Sequence, residues 1–179
     1  MRWLTLAALV LLLQACITAG PPGNARFANV ENVAALEGVY QNLGERHEGA
    51  PPVYLSALIW PDELDHRSVT TVEVRALDRR TLAVKANSKE GVAKEGTFVE
   101  GRDFELSSGR IVLKKRVGFI GLIESEAHAV GPTYEQRELG IDRKGHGKLS
   151  QKQTIVGLVM MIPMAIGSRE DVRFRRIDR

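Results

Sequence analysis

Three patterns of apolar and polar residues follow one another along the chain. The first is a leader: after Met1-Arg2-Trp3, residues 4–13 (LTLAALVLLL) are apolar except for Thr5. The second has helical spacing. In residues 29–37 (NVENVAALE), Val30, Val33 and Ala34 share one face, with Asn29 placed to cap the start and Gly38 to end it. In residues 51–60 (PPVYLSALIW), Leu55, Leu58 and Ile59 recur at i, i+3 and i+4. Pro51 or Pro52 suits a first helical turn there, and Pro61 a stop. So short an apolar run also fits a buried strand; a short helix is the preferred reading.

From Val69 onward the period is two. Val72, Val74 and Ala76 alternate with Thr71, Glu73 and Arg75, and beyond Asp78-Arg79-Arg80 the alternation resumes with Leu82, Val84 and Ala86. Two such runs around a polar turn predict an antiparallel hairpin. Further strands are expected at 93–99, 104–107, 110–117, 134–142, 148–156 and 171–177, with Ser108-Gly109 as one turn. Residues 143–148 (RKGHGK) read as a hairpin tip, Gly145 and Gly147 supplying positive φ. Strand follows strand with no alternating helices. The expected fold is therefore mainly β: an antiparallel meander, barrel-like or strongly curled, with one or two short N-terminal helices.

Composition changes this picture little. The 179 residues are 44% hydrophobic, 26% charged and 6% aromatic, which suits a globular domain with a core of its own. A single domain over residues 29–179 is expected. The formal charge of +3 is spread among acidic residues, so the clustered basic stripe of a nucleic-acid-binding protein is missing. One cysteine permits no intrachain disulfide and too few thiolates for a cysteine metal centre.

That cysteine ends the leader. A positive start, an apolar stretch and small residues beyond it form a secretory signal, too short for a membrane span of about 20 residues. Leu13-Gln14-Ala15-Cys16 resembles the lipobox of bacterial lipoproteins: an aliphatic residue, a tolerant position, a small residue, then Cys. The resemblance implies cleavage between Ala15 and Cys16, a diacylglyceryl group on the Cys16 sulfur and usually an acyl group on its new amine. Two or three chains make a durable anchor where one alone is marginal. An ordinary cleaved signal peptide and an uncleaved anchor are the competing readings. Ile17 stands where inner-membrane lipoproteins commonly carry Asp, which points to the outer membrane. Cleavage would remove Arg2 and no acidic residue, lowering the net charge from +3 to +2. Residues 16–28, punctuated by Gly20-Pro21-Pro22-Gly23, read as a flexible tether.

The body bears a looser likeness. Leu36-x-Gly38-x-Tyr40-x-Asn42, a meander and a terminal Arg173-Phe174-Arg175 resemble small uncharacterised bacterial lipoproteins and, more distantly, calycin-like barrels. Calycins place Gly-x-Trp on the first strand and an Arg near the last; here Tyr40 stands in the Trp position. The likeness implies an apolar cavity lined by inward residues such as Val72, Val74, Leu82, Val84, Ile111 and Leu113.

Candidate chemistry is thin. Asp62, Glu63, Asp65 and His66 (in PDELDH) offer oxygen and imidazole ligands, but an acidic loop after a helix is more often a solvated turn. Gly145-His146-Gly147-Lys148 lacks the spacing of a phosphate-binding loop. No nucleophile elbow is present, and no catalytic residue, metal or cofactor is assigned. Residues 155–167 (IVGLVMMIPMAIG) carry no charge and read as a strand buried on both faces, bent at Gly157 and Pro163. The alternative is an exposed surface for a partner or membrane, formed by Phe119, Ile120, Val159, Met160, Met161 and Met164. Arg169, Arg173, Arg175 and Arg176 would then meet anionic headgroups. The expected function is a non-enzymatic accessory or interaction protein at the periplasmic face of the bacterial outer membrane, held by its lipid beside an envelope protein partner. The alternative is a calycin-like carrier of a small apolar ligand or lipid; a hydrolase is the third option, with no identifiable site.

Overall fold

A computed structural model describes residues 16–113, 115–120, 129–159 and 162–178. Among the described residues eleven strands dominate: β1 (Cys16–Ala19), β2 (Gly38–Gln41), β3 (Val69–Ala76), β4 (Thr81–Ser88), β5 (Gly91–Val99), β6 (Glu105–Ser107), β7 (Arg110–Val112), β8 (Arg116–Ile120), β9 (Ala129–Ile141), β10 (Gly147–Val159) and β11 (Ile162–Phe174). One sheet runs β1-β11-β10-β9-β7-β6, with β8 also paired to β9; the other runs β2-β3-β4-β5. The fold is mainly β and antiparallel. Among the described residues the strands form no closed barrel.

The chain divides into two compact units. The larger comprises Ala19–Leu113, Arg137–Ser150 and Asp171–Arg179. Its centre is the predicted hairpin: β3 and β4 pair so that Val72 faces Ala86, Val74 faces Val84 and Ala76 faces Leu82. Alternation puts these side chains on one face, and Val72, Val84, Ala86 and Leu82 are buried there with Leu149, Val172 and Phe174. Burying apolar side chains of this size stabilises by about 1.5–3 kcal/mol each. Trp60 closes the core against Phe98, their rings tilted with centroids 5.8 Å apart. Gly96, opposite Val84 in β5, leaves the space that Trp60 approaches.

The helical expectations shrink. Residues 29–37 yield only a 3₁₀ turn, Val33–Leu36, and its cap is Asn32, whose side chain accepts from the Ala34 N–H, not Asn29. The second segment forms α1 (Leu55–Ile59), ended by Trp60 ahead of Pro61. The expected strand over 110–117 is split into β7 and β8, which pair with different stretches of β9. At the β9–β10 tip only Gly145 has positive φ. Asp142 organises this turn instead, its Oδ1 accepting from the Lys144 and His146 N–H groups. Gly147 is needed for closeness: a Cβ there would press on Phe174 and Tyr40.

The largest departure is the tether. Residues 20–28 are fixed to the larger unit despite their Pro and Gly content. Asn24 donates to Asp171 and accepts from Lys148, and the Ala25 carbonyl accepts from Lys148 as well. Phe27 is buried beneath the Arg110 guanidinium (4.6 Å) and the Lys148 ammonium (5.4 Å). Ala28 N–H donates to the Ile141 carbonyl. Composition describes what a segment tolerates; a buried aromatic and a bonded amide decide where it lies.

The smaller unit comprises Lys114–Gln136 and Gln151–Glu170 with the N-terminal residues to Thr18. It contains β8 and the adjoining portions of β9, β10, β11 and β1. Of the run at 155–167, residues 155–159 end β10 and residues 162–167 begin β11, and Val156 and Leu158 are exposed, so the described part is not one doubly buried strand. Gly157 serves closeness rather than bending: Gly131 and Gly157 approach so nearly across β9 and β10 that a Cβ on either would strike the other strand's backbone.

Candidate functional site

The larger unit holds an apolar pocket of about 160 Å³ that is partly open to solvent. Five of the six residues named for a cavity line it: Val74, Leu82, Val84, Ile111 and Leu113. Val72 does not; it is fully buried in the core. The remaining wall includes Leu58 and Ile59 from α1, Phe98 from β5, Phe104, and Leu139 from β9. Pairing explains the wall: β3, β4 and β5 present one alternating face, while β7 meets β9 at Ile111 opposite Leu139. Asp103 brings a carboxylate to the lining, already engaged by the Val99 N–H (2.8 Å) and the Arg102 guanidinium. The Arg102 hydrogen bonds, then that of Val99, hold its carboxyl below the usual range. An aliphatic and aromatic pocket whose carboxylate is so engaged fits an apolar occupant.

The remaining polar candidates resolve into structural roles. Ser56 Oγ lies 3.0 Å from His66 Nδ1, the kind of pair a hydrolase would use. His66 Nε2 sits 3.1 Å from the Pro61 carbonyl, which can only accept, so that nitrogen donates there and the ring is pinned between two partners. Ser56 is fully buried in α1 and out of a substrate's reach. Asn42, equally buried, completes the knot: it donates to the His66 and Val69 carbonyls and accepts from the Ser56 N–H. The PDELDH side chains diverge, Glu63 to Lys94 and Asp65 to the Arg67 N–H. Among the described residues no group of three or more His, Cys, Asp or Glu converges as a metal site.

The terminal arginines are also engaged. Arg173 and Arg175 both bind Glu45, and Arg176 binds Asp178. Burial works against the Glu45 charge, but the two guanidinium hydrogen bonds outweigh it and hold its carboxyl below the ordinary value. The guanidinium groups of Arg173, Arg175 and Arg176 thus each have a carboxylate partner within the chain. Arg176 also lies over Gly38, where a Cβ would meet its Nε at 2.7 Å, and its backbone bridges Tyr40. Gly38 and Tyr40 sit on β2, and Arg176 lies two residues beyond β11.

In the smaller unit Phe119 is 67% exposed and Val117, which was not singled out from sequence, 71%. Ile120, Val159 and Met164 lie in β8, β10 and β11. Met160 and Met161 lie outside the described residues, as do Ala15 and the whole leader. Cys16 is the first residue of β1, paired to β11 at the sheet's edge. No helix among the described residues is long and apolar enough to cross a membrane.

Comparison with protein-family models, curated proteins and solved structures finds no match to this chain.

Proposed function

We propose that this chain is a non-enzymatic accessory protein of the bacterial envelope, anchored through lipid on Cys16 at the periplasmic face of the outer membrane, and that its cavity binds a small apolar ligand. The anchor rests on the leader and on Leu13-Gln14-Ala15-Cys16. The observation that carries the binding function is the cavity, walled by Val74, Leu82, Val84, Ile111 and Leu113. At about 160 Å³ it is comparable in volume to apolar cavities of roughly 150 Å³ that admit benzene. It is smaller than the roughly 300–1,000 Å³ of sites that enclose drug-sized ligands. A short aliphatic chain, a single ring or one end of an acyl chain suits it; a whole lipid does not. The placement of Gly38, Tyr40 and Arg176 supports a calycin-like, curled arrangement of the meander around this space.

Native mass spectrometry tests the binding function. The chain from residue 16 onward, carrying Cys16→Ser and purified gently from the periplasm, should show extra mass that disappears on denaturation. A bare mass, with no thermal shift on adding benzene or a short-chain alcohol, would overturn the carrier and leave only the accessory role.

A further inference from the structure

The smaller unit has an exposed apolar face with a direction to it. Pairing of β8 with β9 sets Val117 opposite Tyr134 and Phe119 opposite Pro132. The β9–β10 turn closes with Asp142 N–H donating to the His146 carbonyl, and counting outward from that closure brings Gly131 opposite Gly157. The close approach of those two glycines is independent support for this register. Pro132 then faces Val156, Tyr134 faces Thr154, and Leu158 follows on the same side. Val117, Phe119, Tyr134, Val156 and Leu158, all exposed, therefore lie on one face of three neighbouring strands.

Charge is graded along this face. At one end stand the exposed Lys115, just before β8, and Lys152 in β10; at the other stand Phe119 and Leu158. The sequence carries no Asp, Glu, Lys or Arg from Val117 to Ile123 or from Ile155 to Gly167. From Lys152 to Leu158 the strand spans about 20 Å. An apolar end of that reach, backed by ammonium groups on flexible stems and bearing an amphipathic tyrosine, matches the interfacial zone of an anionic bilayer.

We infer that this face of β8, β9 and β10 lies against the lipid bilayer that receives the Cys16 anchor. The inference rests on the lipid-anchor reading and adds a contact made by the protein itself. With Cys16 already in β1, and β1 paired to β11 in the same unit, no free segment separates an acylated Cys16 from these strands. The lipid would hold the unit at the membrane surface, where five exposed apolar side chains would otherwise stay in water.

The test uses the chain from residue 16 onward with Cys16→Ser, so that no lipid is present, in flotation with vesicles of phosphatidylethanolamine and phosphatidylglycerol. The chain should float with the vesicles, and Val117→Glu/Phe119→Glu should lower the bound fraction about tenfold or more. Because both side chains are exposed, circular dichroism should match the parent. As a second reading, Phe119→Trp should shift its emission to the blue on vesicle addition and be quenched by brominated lipid. The inference fails if the parent chain stays unbound, if the double variant floats equally well, or if the parent is a dimer that the double variant splits, since the face would then pair two copies. Labelled palmitate incorporation into the wild-type chain reports on the anchor alone, so either reading can fail without the other.

Discussion

Lys148 Nζ lies 2.7 Å from Asp171 Oδ2, and both side chains are only 3% exposed. Asn24 and the Ala25 carbonyl complete the shell around the ammonium, so the pair bolts β10 and β11 to the N-terminal segment. Breaking a buried, bonded pair strands one charge away from water. Lys148→Met should therefore cost about 3–5 kcal/mol in urea denaturation. Lys148→Met/Asp171→Leu should recover most of that loss, because no charge is then left unpaired; a double variant as unstable as the single one would contradict this account.

The same carboxylate sets an acid limit. Burial opposes its charge, but hydrogen bonds from Asn24 and Lys148 prevail and lower its pKa from 3.8 to about 2. A folded-state pKa below the unfolded one stabilises above the unfolded value, and the gain is lost as pH falls. Roughly 2 kcal/mol should thus be present above pH 4–5 and disappear progressively towards pH 2. Chemical denaturation at stepped pH should show that loss in the parent and a flatter profile in Asp171→Asn, whose stability should be lower near neutrality.

Much of the β fold was legible because alternation is a local signal. Residues 69–88 announce their hairpin; of its inward positions Val74, Leu82 and Val84 line the pocket, whereas Val72 is buried in the core. Long-range partners were not legible. Nothing in Gly20-Pro21-Pro22-Gly23 reveals that Asn24 meets Asp171, nor that Phe27 slides under Arg110. The run at 155–167 misled for the opposite reason: absence of charge signals an apolar surroundings or an apolar surface, and only strand pairing separates the two. The Ser56–His66 pair was invisible because α1 and the loop after it meet only in the folded chain.

Gly44 offers a sharp packing test. A Cβ there would run into the side chains of Val172 and Phe174, both buried in the core. Gly44→Ala should cost about 1–3 kcal/mol through overpacking, read as a lowered melting temperature. Gly44→Ala/Val172→Ala, which opens space beside the added methyl, should be less unstable than the two separate losses combined. Strict additivity would show that the glycine is not there for closeness.

The cavity can be filled from its wall. Val74 is half-buried on β3 and lines the space, so Val74→Phe sends a ring into existing volume rather than into close-packed neighbours. The melting temperature should hold or rise slightly, while the thermal shift produced by benzene should vanish. A benzene shift equal to the parent's would mean that the occupant binds elsewhere.

Cys16→Ser in the full chain separates the two ways this protein would meet a membrane. Loss of the thiol would remove the proposed site of diacylglyceryl attachment, so labelled palmitate should no longer appear in the chain. Each buried methylene of a lost acyl chain withdraws about 0.8 kcal/mol of membrane affinity, far more in sum than five side chains at the interface supply. Membrane fractions washed in high salt should therefore lose the protein, because screening removes what Lys115 and Lys152 contribute. Low-salt fractions should retain part of it through Val117, Phe119 and their neighbours. Complete retention at high salt would show an anchor other than Cys16, whereas complete release at low salt would deny the exposed strands any hold on lipid.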